Sequence, residues 1–359
     1  MKNLLAATAC LVAPLWSLSA PAQAQTADFA GERITMTVPY GQGGGTDVWA
    51  RFVAPNLQRF LPGEPTIVVE NVPGGGSILG ANQFARSATM DGLSIMGVSS
   101  STQIPFVLGD SRVQYDYADW TPIFVSPSGA VCYVQPGMGV ESGADIAKLR
   151  DRKIRFGSQG PTSNDLVFLL ALNLFDLDVN AIHGMKSRGE GRLGYERGEF
   201  DVDCQGASAY FANPLADQGK AVLLFSLGIL GPDGSIIRDP SFPDVPTLFE
   251  VYEQVEGAAP SGIEWDAYRS LWVAAYAGQK IVVVPNGVAP EVIAAYSAAA
   301  EAMAADPEFQ KAAAEEIGAY PQAAGEKAAE LVRGALTVSD EAREWLRAWL
   351  IEHHNVRFE

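Results

Sequence analysis

Short β-type runs that turn through small residues into helix-type stretches set the main constraint on how this chain folds. Ile34–Val38 leads through Pro39-Tyr40 and Gly43-Gly44-Gly45 into the helix-type stretch Thr46–Phe60. Thr66–Glu70 leads through Asn71-Val72-Pro73-Gly74-Gly75-Gly76-Ser77 into Ile78–Arg86, and Ile154–Gly157 leads through Ser158-Gln159-Gly160-Pro161-Thr162-Ser163 into Asn164–Phe175. A fourth run, Ser94–Val98, meets the hydroxyl-rich segment Ser99-Ser100-Ser101-Thr102. Ala130–Gln135 and Val222–Phe225 add further strand-type runs, and Ser142–Leu149 a further helix-type one. Repeated alternation of this kind predicts an α/β protein with largely parallel sheets. From Pro290 the chain becomes rich in Ala and Glu. Pro290–Ala305, Pro307–Ile317, Glu326–Leu336 and Ser339–His354, broken by Pro or Gly, predict a helical C-terminal segment.

A chain of 359 residues is too long for one average core, so about two domains are expected. No low-complexity linker separates them, which predicts interleaved lobes. Lobe one is expected over residues 25–127 plus 227–359 and lobe two over 128–226, with hinges at Ser126–Gly129 and Ser226–Gly231. Residues 1–24 read as a secretory signal peptide: Lys2, the apolar Leu4–Leu18, then Ala22-Gln23-Ala24 as a small-x-small cleavage site. Pro14 and the shortness of the apolar run argue against a membrane anchor. A periplasmic location follows as an expectation.

The formal net charge is −17, and losing Lys2 with the leader brings it to −18. Such a field repels phosphate backbones and anionic membranes, so nucleic acid is not an expected partner. A small anion can still be held by local dipoles, and the strand-to-helix junctions offer these. Their glycines let backbone approach a ligand, and their first helical turns present free N–H groups. No Gly-Lys-Ser/Thr closes the first junction, and Leu79 stands where a dinucleotide fingerprint needs its third Gly, so nucleotides are not the expected ligands. In doubly wound sheets the carboxyl ends of the strands face the ligand crevice. The candidate binding residues at these ends are Tyr40, Gly43, Gly44, Gly45, Thr46 and Asp47; Gly74, Gly75, Gly76 and Ser77; Ser99 and Ser100; and Ser158, Gly160, Thr162 and Ser163. Asp201, with Asp203, is expected either to line the cleft or to sit exposed at a strand edge.

Enzymatic readings lack their residues. The chain has only His183, His353 and His354, and it contains no Cys-x-x-Cys, His-Glu-x-x-His or Gly-x-Ser-x-Gly. No metal, cofactor or catalytic group is expected. After the leader two cysteines remain, Cys132 and Cys204, each in a strand-like run. They either pair across adjacent strands or stay as buried thiols.

Val38-Pro39-Tyr40 with Gly44-Gly45-Thr46-Asp47-Val48-Trp49-Ala50-Arg51, Val69-Glu70-Asn71-Val72-Pro73-Gly74-Gly75-Gly76, Gly157-Ser158-Gln159-Gly160, Glu196-Arg197-Gly198-Glu199-Phe200-Asp201 and Phe242-Pro243-Asp244-Val245-Pro246-Thr247 occur in this order. Over nearly all the chain beyond the leader, the sequence resembles the solute-binding receptors of tripartite tricarboxylate transporters, the Bug-type proteins. The resemblance implies a type II periplasmic binding fold in which two α/β lobes close on a ligand. It also implies capture of a small carboxylate by the loops at 40–47 and 74–77 of lobe one and by Ser158, Gly160, Thr162 and Ser163 of lobe two. Delivery to integral-membrane permease subunits is implied as well, by a receptor expected to act as a monomer. A ligand sensor feeding a signalling partner, or an enzyme on the same scaffold, are the other readings. The sequence departs from the family pattern at Pro161-Thr162-Ser163-Asn164-Asp165 and at the charged stretch 182–192. There Lys186, Arg188 or Arg192 either pairs with a second carboxylate or belongs to a solvated loop.

Overall fold

The computed structural model describes residues 27–207, 215–231 and 235–358. The expected leader, 1–24, lies outside them. The first run of elements is β1 (Arg33–Val38), α1 (Gly45–Gln58), β2 (Thr66–Asn71), α2 (Ile78–Ser87), β3 (Ser94–Ser99), α3 (Ser100–Leu108) and β4 (Trp120–Ser126). The second is β5 (Ala130–Val134), β6 (Lys153–Ser158), α4 (Asp165–Asn173), β7 (Asp178–His183), α5 (Arg188–Glu196), β8 (Val202–Gly206) and β9 (Val222–Ser226). The chain continues through β10 (Ile229–Leu230), β11 (Ile236–Ile237), α6 (Leu248–Glu256), α7 (Ile263–Ala277) and β12 (Lys280–Pro285). It then closes with α8 (Pro290–Ala305), α9 (Pro307–Glu316), β13 (Ala323–Ala324), α10 (Gly325–Ala335) and α11 (Asp340–His354).

Two main sheets result, in the orders β13-β4-β12-β3-β1-β2 and β7-β6-β8-β5-β9. Sequential strands β1, β2 and β3 pair in parallel, as βαβ units must. β12 returns from the far lobe and enters the first sheet antiparallel to both β3 and β4. β5 is likewise antiparallel to β8 and β9. The sheets are therefore mixed rather than largely parallel, because each lobe is completed by a strand that the interlobe crossing delivers from the opposite direction.

β12 shows how residue pattern sets packing. All six of its residues are buried. Val282 and Val284 join the core under α1, α8 and α9 with Trp49, Tyr296 and Phe309, whereas Ile281 and Val283 join the opposite core with Phe84, Tyr115 and Trp120. A run apolar on both faces is what a central strand requires. Helix ends are set locally. Thr247 and Glu250 form a capping box that starts α6, and Gly257 stops it in the left-handed conformation.

The third core departs from the expected boundary. Leu248 and Val251 of α6, Tyr268, Leu271 and Trp272 of α7, and Leu346 and Leu350 of α11 share one buried cluster with lobe-two residues Phe156, Phe168, Phe175 and Phe225. Parts of 227–359 thus pack against lobe two as well as against Ile104 and Leu108 of α3, since α4 carries apolar residues round its whole circumference and needs cover beyond its own sheet. Cys132 and Cys204 stand directly opposite in the β5–β8 register and are joined as a disulfide, with Cα atoms 4.1 Å apart.

Candidate functional site

The carboxyl ends of β1, β3 and β6 meet the start of β12 and the N-terminus of α5 around a cavity of about 40 Å³ between the lobes. Lobe one contributes Tyr40, Gly44, Gly45, Thr46, Ser99, Ser101, Gln279 and Lys280 to its wall. Lobe two contributes Gln159, Asn164, Phe168, Ser187, Arg188, Gln205 and Gly206. Uncharged polar groups dominate, with one cation on each side.

On the first side, Gly44 is the N-cap of α1 and supplies no capping side chain to the helix's first turn. The positive end of the helix dipole therefore faces the cavity. Tyr40 is fixed behind it: its hydroxyl accepts from the Ser99 hydroxyl at 2.8 Å and lies 2.9 Å from the Thr102 hydroxyl. Burial pushes the Tyr40 phenol above its ordinary value despite these bonds, so it stays neutral and polar.

On the second side, Arg188 is clamped. Its guanidinium pairs with Asp203 and, at 3.4 Å, with Asp165; it donates to the carbonyls of Gly157 and Cys204, and it stacks 4.8 Å from the Phe156 ring centroid. Burial by itself would depress Arg188, but the two carboxylates outweigh it and hold the group charged. Tyr133 and Gln205 donate to Asp203 at 2.7 Å each.

The lobes touch. Gly41 N–H donates to the Lys186 carbonyl at 2.8 Å. A Cβ on Gly44 would come within 2.7 Å of Ser187 Cβ, and one on Gly189 within 2.5 Å of the Gly43 carbonyl. The Ser100 hydroxyl donates to Asn164 at 2.6 Å, and Asn164 N–H to the Ser101 hydroxyl at 2.9 Å. Thr162 donates to Asp110 at 2.7 Å and accepts from Arg112 at 3.0 Å.

A model of the Tripartite tricarboxylate transporter family receptor matches residues 49–325. The chain belongs to this family. BugT of Bordetella pertussis is 29% identical over 304 residues, 82% of either chain. Among solved structures, a Rhodopseudomonas palustris protein with adipate superposes with a TM-score of 0.68 at 20% identity, covering 92% of this chain and 99% of that one. MatC from Rhodopseudomonas palustris with bound malate gives 0.64 at 18%, covering 91% and 99%. These similarities give the receptor the two-lobed fold of periplasmic binding proteins. No helix among its described residues is long and apolar enough to cross a membrane.

Of the residues expected from sequence, Tyr40, Gly44, Gly45, Thr46 and Ser99 line the cavity. Arg188, one of the three cations offered for a second carboxylate, lines it too but is committed to Asp165 and Asp203; the others do not, and the structure gives each different work. Asp47 accepts from Gly43 N–H and Asn71 and pairs with Arg51, bracing the first loop. Gly74, Gly75 and Gly76 all take positive φ, and a Cβ on Gly76 would lie 3.1 Å from Ser163 Cβ, so this turn meets lobe two directly. Ser77 donates to the Ser101 carbonyl. Ser100 and Thr162 are committed across the interface, as above. Ser158 accepts from Gly160 N–H, and Ser163 donates to the Gly160 carbonyl. Asp201 sits at the strand edge, held below the usual carboxylate range by Arg155. Lys186 and Arg192 stay outside the cavity wall, the latter beside Glu196.

Part of the charged stretch 182–192, for which a solvated loop is one of the two readings, forms the start of α5 (Arg188–Glu196). Ser187 caps it by accepting from Glu190 N–H, and side chains at Gly189, Gly191 or Gly194 would strike Gly43, Arg188 or Phe200. Sequence reasoning missed Ser101, Gln159, Asn164, Gln205, Gln279 and Lys280 as wall residues. Ser101, Gln159 and Asn164 lie inside junctions already singled out. Nothing local distinguishes Gln205, Gln279 or Lys280.

Proposed function

We propose that the receptor captures a small carboxylate in the cavity between its lobes, in the periplasm, and delivers it as a monomer to integral-membrane permease subunits. The observation that carries this reading is the donor-rich wall in which the α1 N-terminus, Ser99, Ser101 and Lys280 face the cavity together. Helix N-termini and ammonium groups are stabilised by anions. Malate and adipate in two structural neighbours agree with it. On this reading Tyr40, Gly44, Gly45, Thr46 and Ser99 contact the ligand from lobe one. The lobes swing about Ser126–Gly129, where the chain passes from β4 of the first sheet to β5 of the second, and about Ser226–Gly231, which follows β9. The interlobe bonds of Ser100, Thr162 and Asn164 then belong to the closed state.

Calorimetric titration of the leaderless chain with a panel of hydroxy-, amino-, mono- and dicarboxylates tests the capture step. At least one saturable binder that also raises the melting temperature is expected, because a ligand of the native state adds stability as RT ln(1 + [L]/Kd). A panel with no binder overturns the reading. Uptake of that binder by cells should vanish when the permease genes are deleted, and unaffected uptake would remove the delivery step.

A further inference from the structure

The lobe-one wall carries an ammonium group that the receptor's own residues leave without a counter-charge. Lys280 opens β12, is 3% exposed and lines the cavity. Among the described residues its side chain forms neither an ion pair nor a hydrogen bond. Its register partners are the neutral Ser99 and Ser126. The N-terminus of α1, whose N-cap Gly44 has no side chain, borders the same cavity. A buried cation is costly unless paired, and burial pushes this one down to about 7.

The opposite wall differs. Arg188 already meets both Asp165 and Asp203, so its charge is fully matched within the wall, and burial raises the Asp203 carboxyl. Gln205 donates its amide to Asp203 and to the Arg188 carbonyl, which fixes the orientation of the amide. Its Oε1 is buried with no partner, and so is Oε1 of Gln279. Both residues line the cavity. One unpaired cation and two unpartnered acceptors therefore belong to residues of one small cavity wall.

We propose that Lys280 is the counter-ion for a single ligand carboxylate, and that Gln205 and Gln279 accept an O–H or N–H from the same molecule. The receptor then selects a small hydroxy- or amino-monocarboxylate over a dicarboxylate. A second carboxylate would confront two acceptors and an Arg188 already matched by its own acids. This inference rests on the carboxylate-capture reading and narrows it.

Burial acts on the other ionisable groups around the cavity as well, and it raises the Asp203 carboxyl. Arg188 is locked between Asp165 and Asp203, and burial raises Tyr40 and also Tyr276, which bonds Asn164. Lys280 then couples binding to pH around neutrality. Below about 7 it is protonated before the ligand arrives; above it, the ligand must draw a proton on, so affinity falls as pH rises.

The test is calorimetry on the leaderless chain with L-lactate, L-serine, propionate, lactamide, succinate, malate and adipate at pH 6 and 8.5, each in two buffers of different ionisation enthalpy. Lactate or serine is expected to bind tightest. Propionate, lactamide and succinate should each bind at least about tenfold more weakly, the effect of losing one charge-assisted or buried hydrogen bond. Proton uptake should appear at pH 8.5 only. Lys280→Met should keep or raise the melting temperature while costing at least about tenfold in affinity for the best acid, leave lactamide unchanged, and abolish proton uptake. A dicarboxylate as the tightest ligand, or undiminished binding by Lys280→Met, overturns the inference and leaves the receptor reading standing. If the variant does not fold, wild-type proton uptake decides alone, and its absence counts against the inference. Failure of every carboxylate to bind removes both.

Discussion

The two walls of the cleft are built by the same device, a strand end turning into a helix N-terminus, yet they handle charge in opposite ways. On lobe two, Arg188 is saturated by Asp165, Asp203 and two backbone carbonyls. On lobe one, Lys280 has no acid paired with it among the described residues, and the acid in the first turn of α1, Asp47, is engaged by Gly43 N–H, Asn71 and Arg51. A saturated cation organises its surroundings, and an open one is available to a ligand. Lobe two therefore reads as the rigid wall and lobe one as the wall that supplies attraction.

The largest way to break this comparison is Arg188→Leu. It strands two buried carboxylates, and a loss of about 3–5 kcal/mol in urea unfolding is expected. Arg188→Lys should not recover wild-type stability, since one ammonium cannot span both acids and both carbonyls. A loss below about 1 kcal/mol for Arg188→Leu would mean that Arg188 is not the organising group. Next comes removal of the lobe-two disulfide by Cys132→Ala with Cys204→Ala. Opening a cross-link between residues 72 apart should cost about 2–4 kcal/mol by denaturant titration. Carboxylate affinity at low temperature should stay unchanged, because the bridge lies in the sheet behind the cleft wall.

Gly44→Ala sharpens the contrast from lobe one. The residue has φ −81°, which alanine accepts, so each lobe should fold normally. Its Cβ would meet Ser187 Cβ at 2.7 Å, so the lobes cannot close fully. At least about tenfold weaker ligand binding with an unchanged circular-dichroism spectrum is expected, and native affinity would show that closure does not need this contact.

The smallest effect is a slope. The folded Lys280 sits near 7 and the unfolded group near 10.4, so in that window the unfolded state binds more protons and stability rises with pH. A gain of roughly 1 kcal/mol per pH unit between 7 and 9 should appear in urea midpoints of the wild type and not of Lys280→Met. Equal slopes would mean that the ammonium is solvated.

Much of the fold is legible in sequence because it is local. The β-branched run at Ile34–Val38 emerges as β1 (Arg33–Val38), and the Pro-initiated stretch at 290 as α8 (Pro290–Ala305). What escaped is long-range. β12 looks like any apolar run, and only its insertion between β3 and β4 makes it central. α5 hides because Gly189 answers to Gly43, a residue remote in sequence, and Gly194 to Phe200 beyond the helix end. The hydroxyls of Ser100 and Thr162 suit a ligand by type, but the closed lobes commit them to Asn164 and Asp110. Lys280 escapes because a lysine at the head of a strand is ordinarily exposed, and its burial is a property of three strands and a crossover.

The most direct measurement is a crystal structure of the leaderless chain grown with the tightest acid from the calorimetric panel. The account predicts density in the cavity between the α1 N-terminus and Arg188, with a carboxylate within hydrogen-bond distance of Lys280 Nζ and contacts to both lobes. Density in the apolar cavity of about 280 Å³ beside Pro127, Trp272 and Tyr320, with the interlobe cavity holding only water, would contradict it.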